Sequence, residues 1–485
     1  MVAANGTTHG WVSSPDTRGT WDIVLTCLIT TFLCCWTSVY PNIASPTDGY
    51  WTRFRDKVSL TCLGLLGPDF LITLATGQWS SARRSFRKFK DEGYVNWTLT
   101  HSFFADMGGF VLDAPGLEQP IPVDGEQLFY LVKNGYIDCP SVTKQELDDR
   151  NKSDGLARLI TIVQVTWFVI DLVARAIQRL TVTTIELTTV SFVVILFGTA
   201  WCWKDKPSDV QTTILIKTTV HIDEIIASSP YDSHVTANWY HTPLDFISRH
   251  ETATNVIWVY FNDLLRKIIR ISPFTRRVRT KPWDRIPGDM FLLMDFDLQL
   301  IAGGFIAVFS AIFFFAWNAH FPTYFELWAW RAASLYMIFF GITGCLWMGM
   351  WVWILFPRIR YAEGPELSIF ERSLEVRFLN LHRAPYREPS LPKTRKAKTT
   401  CPTWFRRLLD MFGDVGQFFT RTHNITPDKD PYFNAPIGFV IGNTVLCSTY
   451  VVFRAYILIE DIVGLRSLPS DAFRTVEWLE FFPHA

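Results

Sequence analysis

Charge is scarce in this chain of 485 residues: Asp, Glu, Lys and Arg together make up 19%, below the roughly 25% of an ordinary soluble domain. The 46 basic and 46 acidic side chains cancel, so no net positive field argues for a nucleic-acid partner. The nine cysteines form no framework. Cys27, Cys34, Cys35, Cys62, Cys202, Cys345 and Cys447 sit in apolar runs, where a free thiol is a small hydrophobe, while Cys139 and Cys401 lie in loops without a CxxC partner. There is no P-loop, no GxGxxG and no GxSxG, which removes the common phosphate cradles and the nucleophile elbow. Asp148 and Asp149 run into Arg150, Asn151 and Lys152, and Asn262 and Asp263 are followed by Arg266 and Arg270, so neither pair completes the acidic motif that holds magnesium and a prenyl diphosphate. Asp295 and Asp297 are an isolated D-x-D, read as the polar cap before a helix. His221, Asp223, Glu224, His234, His241 and His250 share one loop but lack HxxxH or HExxH spacing, so no metal and no cofactor is assigned. No internal repeat marks the inverted halves of many transporters. Residues 1–20 carry only the late Arg18, lack the charged start and cleavage site of a secretory leader, and read as a polar tail.

What the chain has in abundance is apolar surface: 49% hydrophobic residues, with 20 Trp and 39 Phe. Leu156 to Val173 and Thr184 to Trp203 are runs long enough to cross a hydrocarbon core of about 30 Å. With only a short basic connection between them, they predict a transmembrane helical hairpin over 156–203. Trp201 and Trp203 followed by Lys204, Lys206 and Pro207 predict its exit, with indoles at the headgroups, lysines in water and proline ending the helix. Trp21 to Val39, Gln299 to Trp317, Arg331 to Phe356 and Pro436 to Tyr456 are further candidates. Val58 to Thr76 is interrupted by Gly64, Gly67, Pro68 and Asp69; an acid at mid-bilayer is costly, so this segment either packs Asp69 on protein or does not cross.

The predicted fold class is therefore all-α, a polytopic helical membrane protein with six or seven transmembrane helices and large cytoplasmic loops. Its parts are a tail (1–20), two hydrophobic segments (21–76), a loop (77–155), the hairpin (156–203), a second loop (204–290), two transmembrane helices (291–356), a basic loop (357–435), and a last helix with its tail (436–485). In the second loop Val256 to Ile271 has an apolar face opposite Asn262, Asp263, Arg266, Lys267 and Arg270, the pattern of a helix lying on a membrane surface. The stretch from Pro385 to Lys398 is too polar and proline-rich to pack a core and reads as disordered. Lysine and arginine concentrate in 77–155, 204–290 and 357–435, which puts those loops in the cytoplasm against an anionic leaflet. Seven crossings place the N-terminal tail inside, six outside. Of the sequons at Asn5, Asn96, Asn151 and Asn424, only Asn5 is then open to glycosylation.

Several strings resemble a family of multi-pass fungal membrane proteins that has no established molecular activity. They are RGTWDI at Arg18 to Ile23, C-x-W-T-x-x-x-P-N-I at Cys34 to Ile43, WTLTHSFFADMGGF at Trp97 to Phe110, KSD at Lys152 to Asp154, W-x-x-K-P-x-D-V at Trp203 to Val210, and LRSLPSDAFRTVEW at Leu465 to Trp478. The resemblance spans nearly the whole chain and implies membrane residence with a weak link to specialised metabolism. It implies no chemistry.

Two sets of residues are candidates for chemistry. Gln164, Trp167, Asp171 and Arg175 share one side of the first hairpin helix, with Asp171 and Arg175 spaced to pair and Glu186 across the turn from Arg179. They form either a structural clamp or a polar membrane seam for an ion or amphiphile. His101 and Asp106 lie in an aromatic segment beside Gly108 and Gly109, as a packed histidine or as a general acid/base pair at the cytoplasmic mouth. Three functions follow: binding or moving a small hydrophobic or ionic solute through the seam, an intramembrane enzyme of lipid or terpenoid metabolism, or a scaffold on anionic lipid. A transporter needs a continuous polar path, an enzyme a one-sided pocket where His101 and Asp106 converge.

Overall fold

The computed structural model describes residues 8–13, 18–150, 155–228, 240–249, 251–269, 281–350, 422–426, 428, 430 and 433–478. The chain separates into two units, one of residues 1–250, 273–349 and 450–485 and one of 251–272 and 350–449.

The described residues are mostly helical. Six stretches are long and apolar enough to cross a membrane: Thr20–Thr37, Leu156–Ile177, Thr184–Cys202, Phe296–Ala316, Tyr324–Leu346 and Ile437–Arg466. They belong to helices α1 (Thr20–Thr37), α7 (Gly155–Ile177), α8 (Thr184–Cys202), α12 (Phe296–Ile312, continued by a 3-10 turn to Ala316), α13 (Tyr324–Met350) and α14 (Ile437–Val463). Val58 to Thr76 is not a seventh. It splits into α2 (Tyr50–Leu66) and α3 (Pro68–Asp91), because Pro68 has no N–H to continue the helix and takes its first position instead. Close packing depends on small residues: a Cβ on Gly198 of α8 would stand 2.9 Å from the Phe305 ring of α12, so only glycine lets these helices approach there.

The described parts of 99–150 and 204–249, which flank the hairpin, carry secondary structure and share one hydrophobic core. Residues 99–133 form α4 (Leu99–Asp106), β2 (Phe110–Asp113), β3 (Ile121–Val123) and α5 (Gly125–Lys133), followed by α6 (Lys144–Arg150). Beyond the hairpin, β4 (Ile214–Lys217) joins β2 in parallel register, Phe110 opposite Ile214 and Leu112 opposite Ile216, and β3 pairs β2 antiparallel. Phe104, Phe110, Leu112, Ile121, Val123, Leu128 and Leu131 are buried in one core with Ile222 and Ile225 of α9 (Ile222–Ala227), and Phe246 of α10 (Asp245–Ser248) packs on it. The all-α expectation is corrected by this sheet and two small ribbons, one of which pairs β1 (Thr8–His9) with β7 (Leu468–Pro469).

The second unit holds α11 (Ala253–Ile269), the β5–β6 ribbon (Thr422–His423 with Ala435–Pro436) and the first half of α14. Its amphipathic helix is present, with Asn262 and Asp263 of the polar side buried and Ile268 of the apolar side exposed. Lys267 donates to the Ile425 carbonyl at 2.9 Å. The proline-rich stretch 385–398, Asn5 and Asn151 lie outside the described residues.

Candidate functional site

The break between α2 and α3 leads inward. Lys206, four residues past α8, bonds Gln78 of α3 at 2.8 Å. Pro68 lies ten residues earlier on α3, about 15 Å deeper along a rise of 1.5 Å per residue. There Phe70 packs edge-on against Tyr450 and Phe340, ring centroids 5.9 and 6.0 Å apart, and Tyr450 is midway along α14. The N-terminus of a 24-residue helix therefore points into the bundle interior.

From Tyr450 onward, α14 turns one stripe toward that interior: Tyr450, Arg454, Ile457 and Asp461, at spacings of four, three and four, all buried. Arg454 is 2% exposed. Its guanidinium sits 4.7 Å from the Phe192 ring centroid, 5.4 Å from that of Phe309 and 5.8 Å from that of Phe313. Rings over a guanidinium recover part of its lost hydration by cation–π attraction. They do nothing for its edge, and Nε and both Nη atoms have no hydrogen-bond partner among the described residues. Asp69 of α3 and Asp461 both feel its charge, yet neither is within ion-pair distance of it among the described residues. Asp69 is buried beside the Tyr450 hydroxyl, and its Oδ1 has no partner among the described residues. Asp461 faces Thr184 and Thr188 of α8, and Glu460 adjoins Tyr456, whose hydroxyl donates to the Glu326 carbonyl at 2.8 Å. A guanidinium cannot shed its proton, and a buried charge without hydrogen bonds costs several kcal/mol. This column is where the bundle holds such a cost.

The residues singled out from the sequence do not converge there. Gln164 donates to Thr30 of α1 at 3.1 Å, and Asp171 is half-buried. Arg175, 1% exposed, gives its N–H groups to the carbonyls of Thr181, Asp471, Ala472 and Arg474 rather than to Asp171. Several carbonyls converging on one guanidinium satisfy its donors together. Glu186 pairs with Arg18 instead of Arg179, and its other oxygen accepts from the Thr183 N–H and hydroxyl, each at 2.8 Å, capping α8. These contacts tie the hairpin turn to residues flanking α1 and α14.

His101 and Asp106 are also separated by function. His101 Nδ1 meets the Thr98 hydroxyl at 2.7 Å and N–H at 3.2 Å, Nε2 meets the Val142 carbonyl at 2.8 Å, and burial lowers its pKa. Both ring nitrogens are thus engaged in structure. Asp106 accepts from the Gly125 N–H at 2.9 Å and lines a cavity of about 30 Å³ together with Asn42, Gln78 and Lys206. Burial, then the nearby Asp124 charge, pushes its carboxyl up to about 7. Lys206 is not in water as expected but 3% exposed, its ammonium donating to Tyr40 O, Asn42 Oδ1 and Gln78 Oε1 at 2.7, 3.0 and 2.8 Å. Burial pulls it down to about 7, while three oxygen acceptors fit the three protons of the charged form. Trp203 is likewise buried, at 1% exposure, beneath that ammonium; Trp201 alone keeps the exposed position expected of both. His221 caps α9 and His241 stacks on Trp283 with centroids 3.7 Å apart.

Arg454, Asp461 and Lys206 were missed by sequence reasoning. A lone arginine inside a 27-residue apolar helix was the available signal for the first. Residues 1–239 match the model of a family described as a family of unknown function (DUF8562), and the match takes in the first five resembling strings. No curated protein and no solved structure matches the chain.

Proposed function

We propose that this is an integral membrane protein with six crossings that binds or moves a small ionic solute through its interior at the column formed by Asp69, Arg454 and Asp461. The observation that carries the reading is Arg454, a buried guanidinium in a long apolar helix whose hydrogen-bonding edge is unengaged among the described residues. Ionisable groups inside membrane bundles are costly and mark solute or proton paths. The polar groups are strung along α14 rather than gathered in a one-sided pocket, and His101 stands apart from Asp106, which favours passage or binding over catalysis on a lipid. The lysines and arginines of the three long segments favour a cytoplasmic side for them, and the pairing of β1 with β7 supports an opposite side for the residues before α1 and after α14.

The test is flux in vesicles reconstituted with the purified protein, under imposed gradients of potassium chloride, sodium acetate and protons. Flux of at least one of these ions above protein-free vesicles, lost in Arg454→Gln at equal incorporation, is the expected outcome. Rates equal to protein-free vesicles for every ion would overturn the reading.

A further inference from the structure

We infer, resting on that reading, that the solute is a small monovalent anion and that the Asp69 carboxylate sits in its seat. Two independent features make the place below Tyr450 positive. One is the N-terminus of α3, which begins at Pro68 inside the bundle and presents the positive end of a 24-residue helix. The other is Arg454, 2% exposed, one helical turn along α14 from the tyrosine that Asp69 adjoins, with three nitrogens that find no hydrogen-bond partner among the described residues. Phe192, Phe309 and Phe313 lie around the guanidinium at centroid distances of 4.7 to 5.8 Å and engage it as a cation. What they leave is the edge, a planar fork of donors that suits a carboxylate, nitrate or halide.

The acids on either side do not reverse the sign. A guanidinium offers donors only, so the edge left unengaged among the described residues can be satisfied only by an acceptor, and an anion is the acceptor that also offsets its charge. The fixed charge is positive, and it sets the class of ion.

Asp69 is in the first turn of α3, the position at which a helix terminus stabilises an anion. It is buried, one of its oxygens has no partner among the described residues, and it feels Arg454. A tethered carboxylate here is the chemical equivalent of a bound carboxylate solute. Tyr450 adjoins it, and Phe70 and Phe340 pack on that tyrosine, so the surroundings of the carboxyl are aromatic. For the solute to bind, Asp69 must withdraw or be neutralised.

The vesicles described above decide this with sodium chloride, nitrate and acetate gradients on one arm and potassium gluconate on the other. Anion flux without potassium flux is expected. It should rise several-fold in Asp69→Ala and in the near-isosteric Asp69→Asn, fall in Arg454→Lys, which keeps charge but loses the planar fork, and vanish in Arg454→Gln and in Asp69→Ala combined with Arg454→Gln. Each variant is compared only after monodisperse elution; Asp69→Asn and Arg454→Lys conserve shape and charge and carry the test if the harsher changes do not fold. Potassium flux in place of anion flux would overturn the anion while leaving ion passage intact. Anion flux unchanged in both Asp69 variants would overturn the seat. Flux of neither class fails the functional reading itself.

Discussion

Single side chains in this protein acquire their meaning from partners far away in sequence. Asp106 was legible as a candidate because an acid among aromatics is unusual, but Lys206, which lines the same cavity, lies a hundred residues on, across two apolar helices. Its carboxyl is raised above the ordinary carboxylate value of 3.8 to about 7 by burial and by Asp124, itself raised to about 6, with Glu126 adding in the same direction. A folded state that holds its proton to higher pH than the unfolded chain binds more protons in between, so stability is fully present below the unfolded value and falls as pH rises through the folded one. The melting temperature in detergent should therefore drop between about pH 4 and pH 7. Asp106→Asn should flatten the upper part of that drop. Lys206, lowered to about 7, acts in a different window, adding stability as pH rises from there toward its ordinary value. A slope unchanged in Asp106→Asn would remove Asp106 as its source.

Among the elements, the hairpin was the most readable and its polar residues the least. Length and hydropathy define α7 and α8, because a run of that composition has few alternatives to a buried or membrane-crossing helix. Which acid meets which arginine is decided by the neighbouring ends of α1 and α14, and those are invisible to helical periodicity. Glu186 is the case in point: it caps α8 and neutralises Arg18, both in partly or fully dry surroundings. Glu186→Ala should cost about 2 to 4 kcal/mol by leaving Arg18 unpaired and the α8 terminus uncapped. Adding Arg18→Ala should recover part of the loss, since no orphan charge remains. Thermal unfolding of the two single variants and the double variant measures this, and a double variant at the sum of the singles would mean the pair is not coupled. The broken helix α2–α3 was half legible: Gly67, Pro68 and Asp69 mark the interruption, but the direction in which the two halves run depends on Lys206, Gln78 and Tyr450.

For the molecule as a whole, connectivity fixes which parts share a side. The parallel pairing of β2 with β4 brackets the hairpin, so residues 99–150 and 204–228 must lie together. Arg18 bonds Glu186 at the hairpin turn, Arg175 bonds the carbonyls of 471–474, and Arg466 pairs with Glu326 at the start of α13, which gathers those segments at the other end of the bundle. Single cysteines introduced at Ser13 and Glu477 should accept a membrane-impermeant maleimide from outside intact cells, and one at Asn96 only after permeabilisation. Labelling of Ser13 and Asn96 from the same side would sink the six-crossing topology.

The sequence by itself determined that this chain is dominated by long apolar helices, since segment length and composition set hydropathy without reference to anything distant. It also marked Gly67–Pro68 as a break and Asp69 as costly, because backbone chemistry and desolvation are properties of the residues themselves. Only the tertiary structure decided that the described residues of 99–150 and 204–249 share one core, that Lys206 is dry, and that Asp69 and Asp461 both feel the charge of Arg454. The physical reason is the range of the interactions. Helix propensity and hydropathy act over a few turns, whereas a β-bridge, a buried ammonium or an unengaged guanidinium is defined by groups that folding brings in from anywhere along the chain.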